Sequence, residues 1–368
     1  MEVNSLLYIL PALITAFAIS YLSMPVIIRI SNLKQLFSAP DGIRKLHHSM
    51  VPTLGGIGIF AAFIISFSIW GQAAELSSYP YFIAGLFLLF LIGVKDDIVI
   101  LSPLKKLIVQ ILASVLLVVG GGMVLNHMGG LFGLGEIPWL VGVFLSVLIL
   151  VAIVNAFNLI DGIDGLAGGV GIIGSSILGI WFWGAGYLPL ALLSFSLSGA
   201  LIGFLIFNMH PAKIFMGDTG AMATGFILGF LALEFLSINL VIGAEGWGMA
   251  NAQVFAISIL IIPIIDTLRV IFLRIQQNKN PMEADRNHIH HKLIDDLGMA
   301  PHFASFSLWL GNMIVIGVAF GLNHLNVNIH LILVLFFGFM ILPVIRLTHF
   351  VIIKLVGSRT GTEKIYDL

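Results

Sequence analysis

The 368 residues are 59% hydrophobic and 10% charged, with a mean hydropathy of +1.09, which excludes a water-soluble domain and points to an integral membrane protein. A formal net charge of −1 gives no reason to expect a nucleic-acid partner. The count of 0 Cys excludes disulfides, thiolate metal sites and a cysteine nucleophile.

Crossing the hydrocarbon takes about 20 apolar residues per helix, and windows of that length predict about eleven spans. They cover 5–30, 51–70, 79–94, 105–125, 138–157, 166–183, 187–207, 219–238, 252–272, 303–323 and 329–351. The first follows no basic leader and is expected to remain in the protein. All 17 Lys and Arg fall at the ends of spans one, three, seven, nine and eleven or in the breaks that follow, while the opposite side exposes Glu2, Glu75, Glu136 and Glu245. Basic loops stay in the cytoplasm, so an odd span count predicts an extracytoplasmic N-terminus and a cytoplasmic C-terminus. The expectation is an all-α, polytopic helix bundle forming one catalytic domain over 1–368. Its active-site loops lie near 31–50, 95–106, 155–166, 208–220 and 273–302.

Four polar constellations sit at the basic breaks. Asp96 and Asp97 end the third span, with Lys105, Lys106 and Gln110 shortly after. Adjacent carboxylates at a membrane surface repel unless a cation or base offsets them, which suits a metal-bound phosphate site; a solvated acid pair is the plain alternative. At the end of the fifth span come Asn155, Asn158, Asp161 and Asp164. Their three-residue spacing puts Asn155, Asn158 and Asp161 on one helical face, and Gly162 and Gly165 allow a ligand close to the backbone. Asx-Gly turns would explain the same residues structurally. A calcium loop would need a distal Glu that is missing here.

The third constellation runs from Asn208 through His210 and Lys213 to Gly217, Asp218, Thr219 and Gly220. An aspartate opening a helix can hold a divalent cation while the helix N-terminus faces a phosphate, although it would serve equally as an N-cap. The fourth comprises Arg274, Asp285, Arg286, His288, His290 and His291 in the long polar stretch 274–302, where Asn280-Pro281 predicts a turn and 286–297 a short helix. Arg forks and His donors suit a diphosphate or sugar hydroxyls. Three histidines also suit zinc, but the basic neighbours and missing Cys disfavour it. Glu234 and Asp266 are intramembrane acids, functional by default or lining an aqueous cleft. His302 reads as interfacial.

Together these residues resemble the polyprenyl-phosphate N-acetylhexosamine-1-phosphate transferase family, over about Arg44 to His291. His288-Ile-His290-His291, and His48 four residues before Pro52, resemble the branch acting on undecaprenyl phosphate and UDP-N-acetylglucosamine. The cell-wall branch that transfers phospho-N-acetylmuramoyl-pentapeptide typically has Lys at the place of His48. It also has Lys where Ile100 stands, which leaves phosphate contacts to Lys105 and Lys106.

The resemblance implies transfer of a sugar 1-phosphate from a UDP-N-acetylhexosamine to polyprenyl phosphate, releasing UMP, at the bacterial cytoplasmic membrane. It implies Mg2+, with Mn2+ as a substitute, held by Asp218 with Asn158. Asp96 and Asp97 fall near the lipid phosphate, and Asn155, Asp161, Asp164 and Asn208 near the nucleotide and metal. Arg274, Arg286 and the histidines fall over the sugar and diphosphate. A homodimer is compatible with it. From other classes, a cation-coupled transporter would want acids near the bilayer midplane and polar groups on both sides of its pathway; a CDP-alcohol phosphotransferase would want a further acid spacing after Asp161 that is not found.

Overall fold

The computed structural model describes residues 3–36, 51–71, 77–243, 246–277 and 288–360. His48, Lys279, Asn280, Pro281, Asp285 and Arg286 therefore lie outside the described residues, as does the side chain of His290. Every extended element described is a helix, and the sole β pairing among the described residues is the isolated bridge His127–Glu136.

In chain order the elements are α1 (Val3–Lys34), α2 (Gly55–Trp70), α3 (Tyr79–Ile98), α4 (Pro103–Val115), α5 (Trp139–Ile160), α6 (Leu166–Gly184) and α7 (Leu188–Asn208). There follow α8 (Gly217–Ile242), α9 (Ala252–Ile259), α10 (Ile261–Gln276), α11 (Ile289–His291), α12 (Pro301–Gly321) and α13 (Val327–Thr360). Among the described residues 8 helices are long and apolar enough to cross a membrane, or up to 9 if the bent pair α9 and α10 counts as one span. The protein is a multi-pass membrane protein. The α2 helix is apolar but short, 16 residues, and α3 carries Lys95, Asp96 and Asp97 in its last turn.

Two expectations about local structure change. The run 252–272, read as one span, is two helices bent by 80°. Pro263 has no N–H to give Ile259, four residues back, so the helix breaks at Leu260. The Ile259 carbonyl instead accepts from Asn312 Nδ2 on α12 at 3.3 Å. The helix expected over 286–297 is, where described, the single turn α11 followed by a π-helical turn, Lys292–Asp296. The fourth span also ends earlier than 125, in a π-helical turn at Leu116–Gly120.

The most enclosed helices are α7 and α8: α7 packs against α1, α2 and α6, and α8 against α2, α3, α5 and α6. Apolar side chains such as Phe82, Phe157, Phe226 and Phe230 fill the core around α8, with Phe82 stacked on Phe230 at 4.3 Å between centroids. Outward faces bear Leu, Ile and Phe, including Phe144, Phe272, Phe306 and Phe336. Such apolar exteriors are stable against lipid. What positions the site is the closeness of α3 to α8. A Cβ on Gly93 would stand 2.5 Å from Thr219 Cα, so only glycine lets the end of α3 rest on the start of α8.

Candidate active site

The chemistry gathers at the N-terminal end of α8. The segment before it pairs with the segment before α2: Phe215 N–H donates to Pro52 O at 2.8 Å, Gly55 N–H to Phe215 O at 3.0 Å and Gly56 N–H to Met216 O at 2.9 Å. Gly217 then adopts φ +68°, where a Cβ would meet Thr53 O at 2.0 Å. This turn leaves the first N–H groups of α8 pointing at α3.

Asp97 receives them. Its carboxylate accepts from Asp218 N–H at 2.8 Å, Thr219 N–H at 3.1 Å and Thr219 Oγ1 at 2.5 Å. An acid in the last turn of α3 sits at that helix's negative end, an unfavourable place; the positive N-terminus of α8 compensates. Burial still pushes the Asp97 carboxyl up to about 7, so desolvation outweighs the hydrogen bonds. Asp97 thus serves as the cap of α8 and ties it to α3.

Asp96 faces the other way. Its Oδ1 accepts from Leu101 N–H at 2.6 Å and its Oδ2 from Lys106 Nζ at 3.1 Å. Lys106 also donates to Asp218 Oδ2 at 2.6 Å, bridging α3, α4 and α8. The side chain of Asn158, on α5, bonds to Asp218. Asp161, just past α5, takes a bond from the Gly217 backbone, while burial and the charges of Asp218 and Asp97 push its carboxyl well above the usual range. Asn155 is one turn deeper: its Nδ2 donates to Gln110 Oε1 at 2.6 Å and to Val151 O at 2.8 Å. On α5, Asn155 and Asn158 turn toward α4 and α8, while Asp161, expected on the same helical face, lies past the end of the helix.

Lys106 thus sits between the Asp96 and Asp218 carboxylates, with Asp97 and Asp161 close enough to Asp218 for their charges to interact. Side-chain exposures of 23% for Lys106, 12% for Asp96 and 24% for Asp218 leave that centre within reach of a ligand. Among the described residues no three His, Asp or Glu side chains form a ready-made metal cage. The unbalanced oxygen donors nevertheless suit a hard cation, and Mg2+ commonly takes one or two carboxylates and completes its shell with water and substrate phosphates.

Two predicted residues turn inward. Asn208 is buried, accepting Gly165 N–H at 2.9 Å through Oδ1 and donating Nδ2 to Ile214 O at 2.9 Å. It braces the 161–166 loop against the approach to α8. Asp164 accepts from Ala212 N–H at 3.1 Å and meets His210 Nδ1 at 2.7 Å, and its carbonyl accepts from Ser305 Oγ of α12 at 2.8 Å. His302 stacks on His210 at 5.7 Å. Lys105 is exposed.

The remaining predicted residues lie at the end of α10 and beyond it. His288 is buried with its Nδ1 2.9 Å from Asp266 Oδ2, Arg274 is buried nearby in sequence at the end of α10, and His291 Nδ1 lies 3.7 Å from Asp295. Sequence alone does not single out His210, His302 or Asp266 as site residues. The signal for His210 was its place in the Asn208–Asp218 constellation; Asp266 was visible only as an intramembrane acid. Two cavities lie away from the carboxylates: one of about 360 Å³ at the far end of α8, around His127, Asn239 and Gln253, and an apolar groove of about 690 Å³ between α10 and α13, beside Arg269.

Similarity to known proteins covers the stretch that holds these residues. The glycosyl transferase family 4 model matches residues 79–236, a stretch holding Asp96, Asp97, Lys106, Asn155, Asn158, Asp161, Asp164, Asn208 and Asp218. A probable undecaprenyl-phosphate N-acetylglucosaminyl 1-phosphate transferase of Bacillus subtilis is 32% identical over 289 residues, covering 77% of this chain and 77% of that protein. The undecaprenyl-phosphate alpha-N-acetylglucosaminyl 1-phosphate transferase of Yersinia pestis is 29% identical over 260 residues (68% of this chain, 67% of that protein). Its counterpart from Salmonella typhi is 29% identical over 284 residues (75% and 73%).

Proposed function

The chain belongs to glycosyl transferase family 4, and we propose that it transfers N-acetylglucosamine 1-phosphate from UDP-N-acetylglucosamine to undecaprenyl phosphate at the cytoplasmic face of a bacterial inner membrane. The products are undecaprenyl-diphospho-N-acetylglucosamine and UMP, and the step would open the assembly of a cell-envelope polysaccharide. The observation that carries this reading is Lys106 held between Asp96 and Asp218, with Asn158 and Asp161 around them. A centre of this kind handles phosphates.

Phosphoryl transfer needs positioning and charge neutralisation more than covalent help from the protein. A phosphate monoester has its second pKa near about 6, so the lipid phosphate arrives mostly dianionic and requires no strong base. Asp96 orients it by setting where Lys106 points. Lys106 exchanges one carboxylate partner for a phosphate oxygen and offsets negative charge as the bond to the leaving UMP opens. Asp218 and Asn158 would hold Mg2+, or Mn2+ in its place. That ion supplies Lewis-acid polarisation of the diphosphate oxygens. Asp161 lies close enough to Asp218 for the two carboxyls to disfavour each other's charge, and a cation held there would relieve that crowding. Asp97, committed to the backbone of α8, keeps Asp218 in register with Lys106. In this reading, direct in-line attack suffices.

The test is to incubate membranes containing the protein with Mg2+, polyprenyl phosphate and a panel of labelled UDP-N-acetylhexosamines. Organic-soluble label, greatest with UDP-N-acetylglucosamine, is the expected result. Uptake of label into vesicles without a lipid product would replace the transferase with a transporter, and a product formed only from UDP-N-acetylmuramoyl-pentapeptide would assign the cell-wall reaction.

A further inference from the structure

One helical turn below the Lys106 bridge lies a second polar layer, built on the same helices. Gln110 follows Lys106 by four residues on α4, Met222 follows Asp218 by four on α8, and Asn155 precedes Asn158 by three on α5. Each sits about 5–6 Å deeper than the residue above it. Gln110 Nε2 donates to Asn155 Oδ1 at 3.4 Å and to the Met222 sulfur at 3.5 Å. Asn155 Nδ2 returns a bond to Gln110 Oε1 at 2.6 Å and gives another to Val151 O at 2.8 Å. The two carboxamides therefore pair reciprocally, and all four of their N–H groups are committed. Gln110 is 3% exposed and Met222 1%, so this layer floors the carboxylate centre.

Below Lys106, little else on α4 holds its rotation. Leu104, Ile108, Ile111, Leu112 and Val115 are exposed, as suits a lipid-facing side. The buried stripe is Gln110, Ala113 and Ser114, and the Ser114 hydroxyl has no hydrogen-bond partner among the described residues. In lipid no hydrophobic force selects which side of an apolar helix turns inward; packing and interhelical hydrogen bonds do. A turn of α4 by about 20° would move a group about 6 Å from its axis by about 2 Å. That is enough to break the bonds of Lys106 to Asp218 at 2.6 Å and to Asp96 at 3.1 Å.

We propose that Gln110 is a positioning residue of the transferase: its carboxamide, paired with Asn155, fixes the rotation of α4 and so the point at which the Lys106 ammonium meets phosphate. The proposal rests on the transferase reading for its kinetic consequence, but the placement of Lys106 stands apart from it. Gln110 touches no substrate; its effect passes through Lys106.

Gln110→Met keeps the length of the side chain, and Asn155→Leu keeps the shape of its own, while each removes one amide. Either single variant leaves a buried carboxamide short of partners and should melt below the parent. The double variant Gln110→Met/Asn155→Leu removes both amides and should recover much of that loss, because replacing both partners by apolar groups of like shape is nearly neutral. Turnover should not return with it: kcat is expected to fall on the order of 100-fold in Gln110→Met and to stay low in the double variant. Lys106 is read directly by reductive methylation of the purified full-length protein without substrates, quantified by mass spectrometry against the exposed Lys105. Held between two carboxylates, Lys106 should react slowly in the parent, and the ratio of Lys106 to Lys105 labelling should rise several-fold in Gln110→Met and in the double variant.

The assignment is overturned by parental kcat in Gln110→Met, by turnover recovering together with melting temperature in the double variant, or by a labelling ratio that does not change. Should the parent form no lipid-linked product, the transferase reading fails, and the labelling ratio still decides whether Gln110 sets Lys106.

Discussion

A single methyl group at Gly93 tests whether the contact between α3 and α8 makes the site. The added Cβ of Gly93→Ala would stand 2.5 Å from Thr219 Cα and 2.8 Å from Thr219 N. Ordinary carbon contacts begin near about 3.5 Å, so the two helices must part by roughly 1 Å at this level. Asp97 is one turn further along the same face of α3, and its bonds to Asp218 and Thr219 span 2.5 to 3.1 Å; the same displacement stretches them toward or beyond useful length. Overpacking of this kind costs about 1–3 kcal/mol, which a bundle of this size should survive. A displacement of about 1 Å in the catalytic groups, however, costs on the order of 100-fold in rate. Gly93→Ala should therefore insert, keep its helical circular dichroism and lose a few degrees of thermal stability in detergent, while turnover falls on the order of 100-fold. Gly317→Ala, where nothing lies within 4 Å of the new Cβ, should leave both quantities at parental values. Full turnover by Gly93→Ala would refute the reasoning.

Asn208→Ala strips partners from two buried backbone groups, Gly165 N–H and Ile214 C=O; at about 1–3 kcal/mol for each unsatisfied group, thermal unfolding should show a large loss of stability, and a parental melting curve would show that the loops do not depend on it. Asp218→Asn should abolish transfer with membrane insertion intact, and added Mg2+ or Mn2+ should not rescue it; near-normal turnover would remove Asp218 from the metal role. His288→Ala should raise KM for the UDP-sugar more than KM for the lipid, and equal shifts in both would count against its placement at the nucleotide sugar. Exchange of labelled UMP into UDP-sugar without any lipid acceptor should not occur, because direct attack has no step that releases UMP first; exchange would demand a covalent aspartyl-phosphate route.

Much of the architecture was legible because lipid imposes a long, continuous apolar signal on each helix. That signal is averaged over many residues, and for the same reason it hid the break at Leu260: the run 252–272 stays apolar throughout, and the effect of Pro263 depends on whether Asn312 is present to take the orphaned Ile259 carbonyl. Within the site, helical spacing, which is local, put Asn155 and Asn158 on α5 one turn apart, while Asp161 falls one residue past the end of that helix. Direction was not legible. Asp96 and Asp97 are adjacent and chemically identical, yet one meets Lys106 and the other caps α8. Asn208 has the polarity of a ligand contact and spends both ends of its amide on backbone. The clamp between 52–56 and 215–216 joins segments more than a hundred residues apart, and Asp266 meets His288 across a stretch whose sequence gives no register. Such pairings are set by tertiary packing.

The central claim concerns which bond is broken, and it is tested most directly with UDP-N-acetylglucosamine labelled with 32P at its β-phosphate, supplied with polyprenyl phosphate to the purified protein in lipid vesicles. Sugar-phosphate transfer predicts that the 32P moves with the sugar into the organic phase, in a lipid diphosphate, while unlabelled UMP stays in the water. Label retained in aqueous UDP, with sugar alone passing to the lipid, would contradict the account.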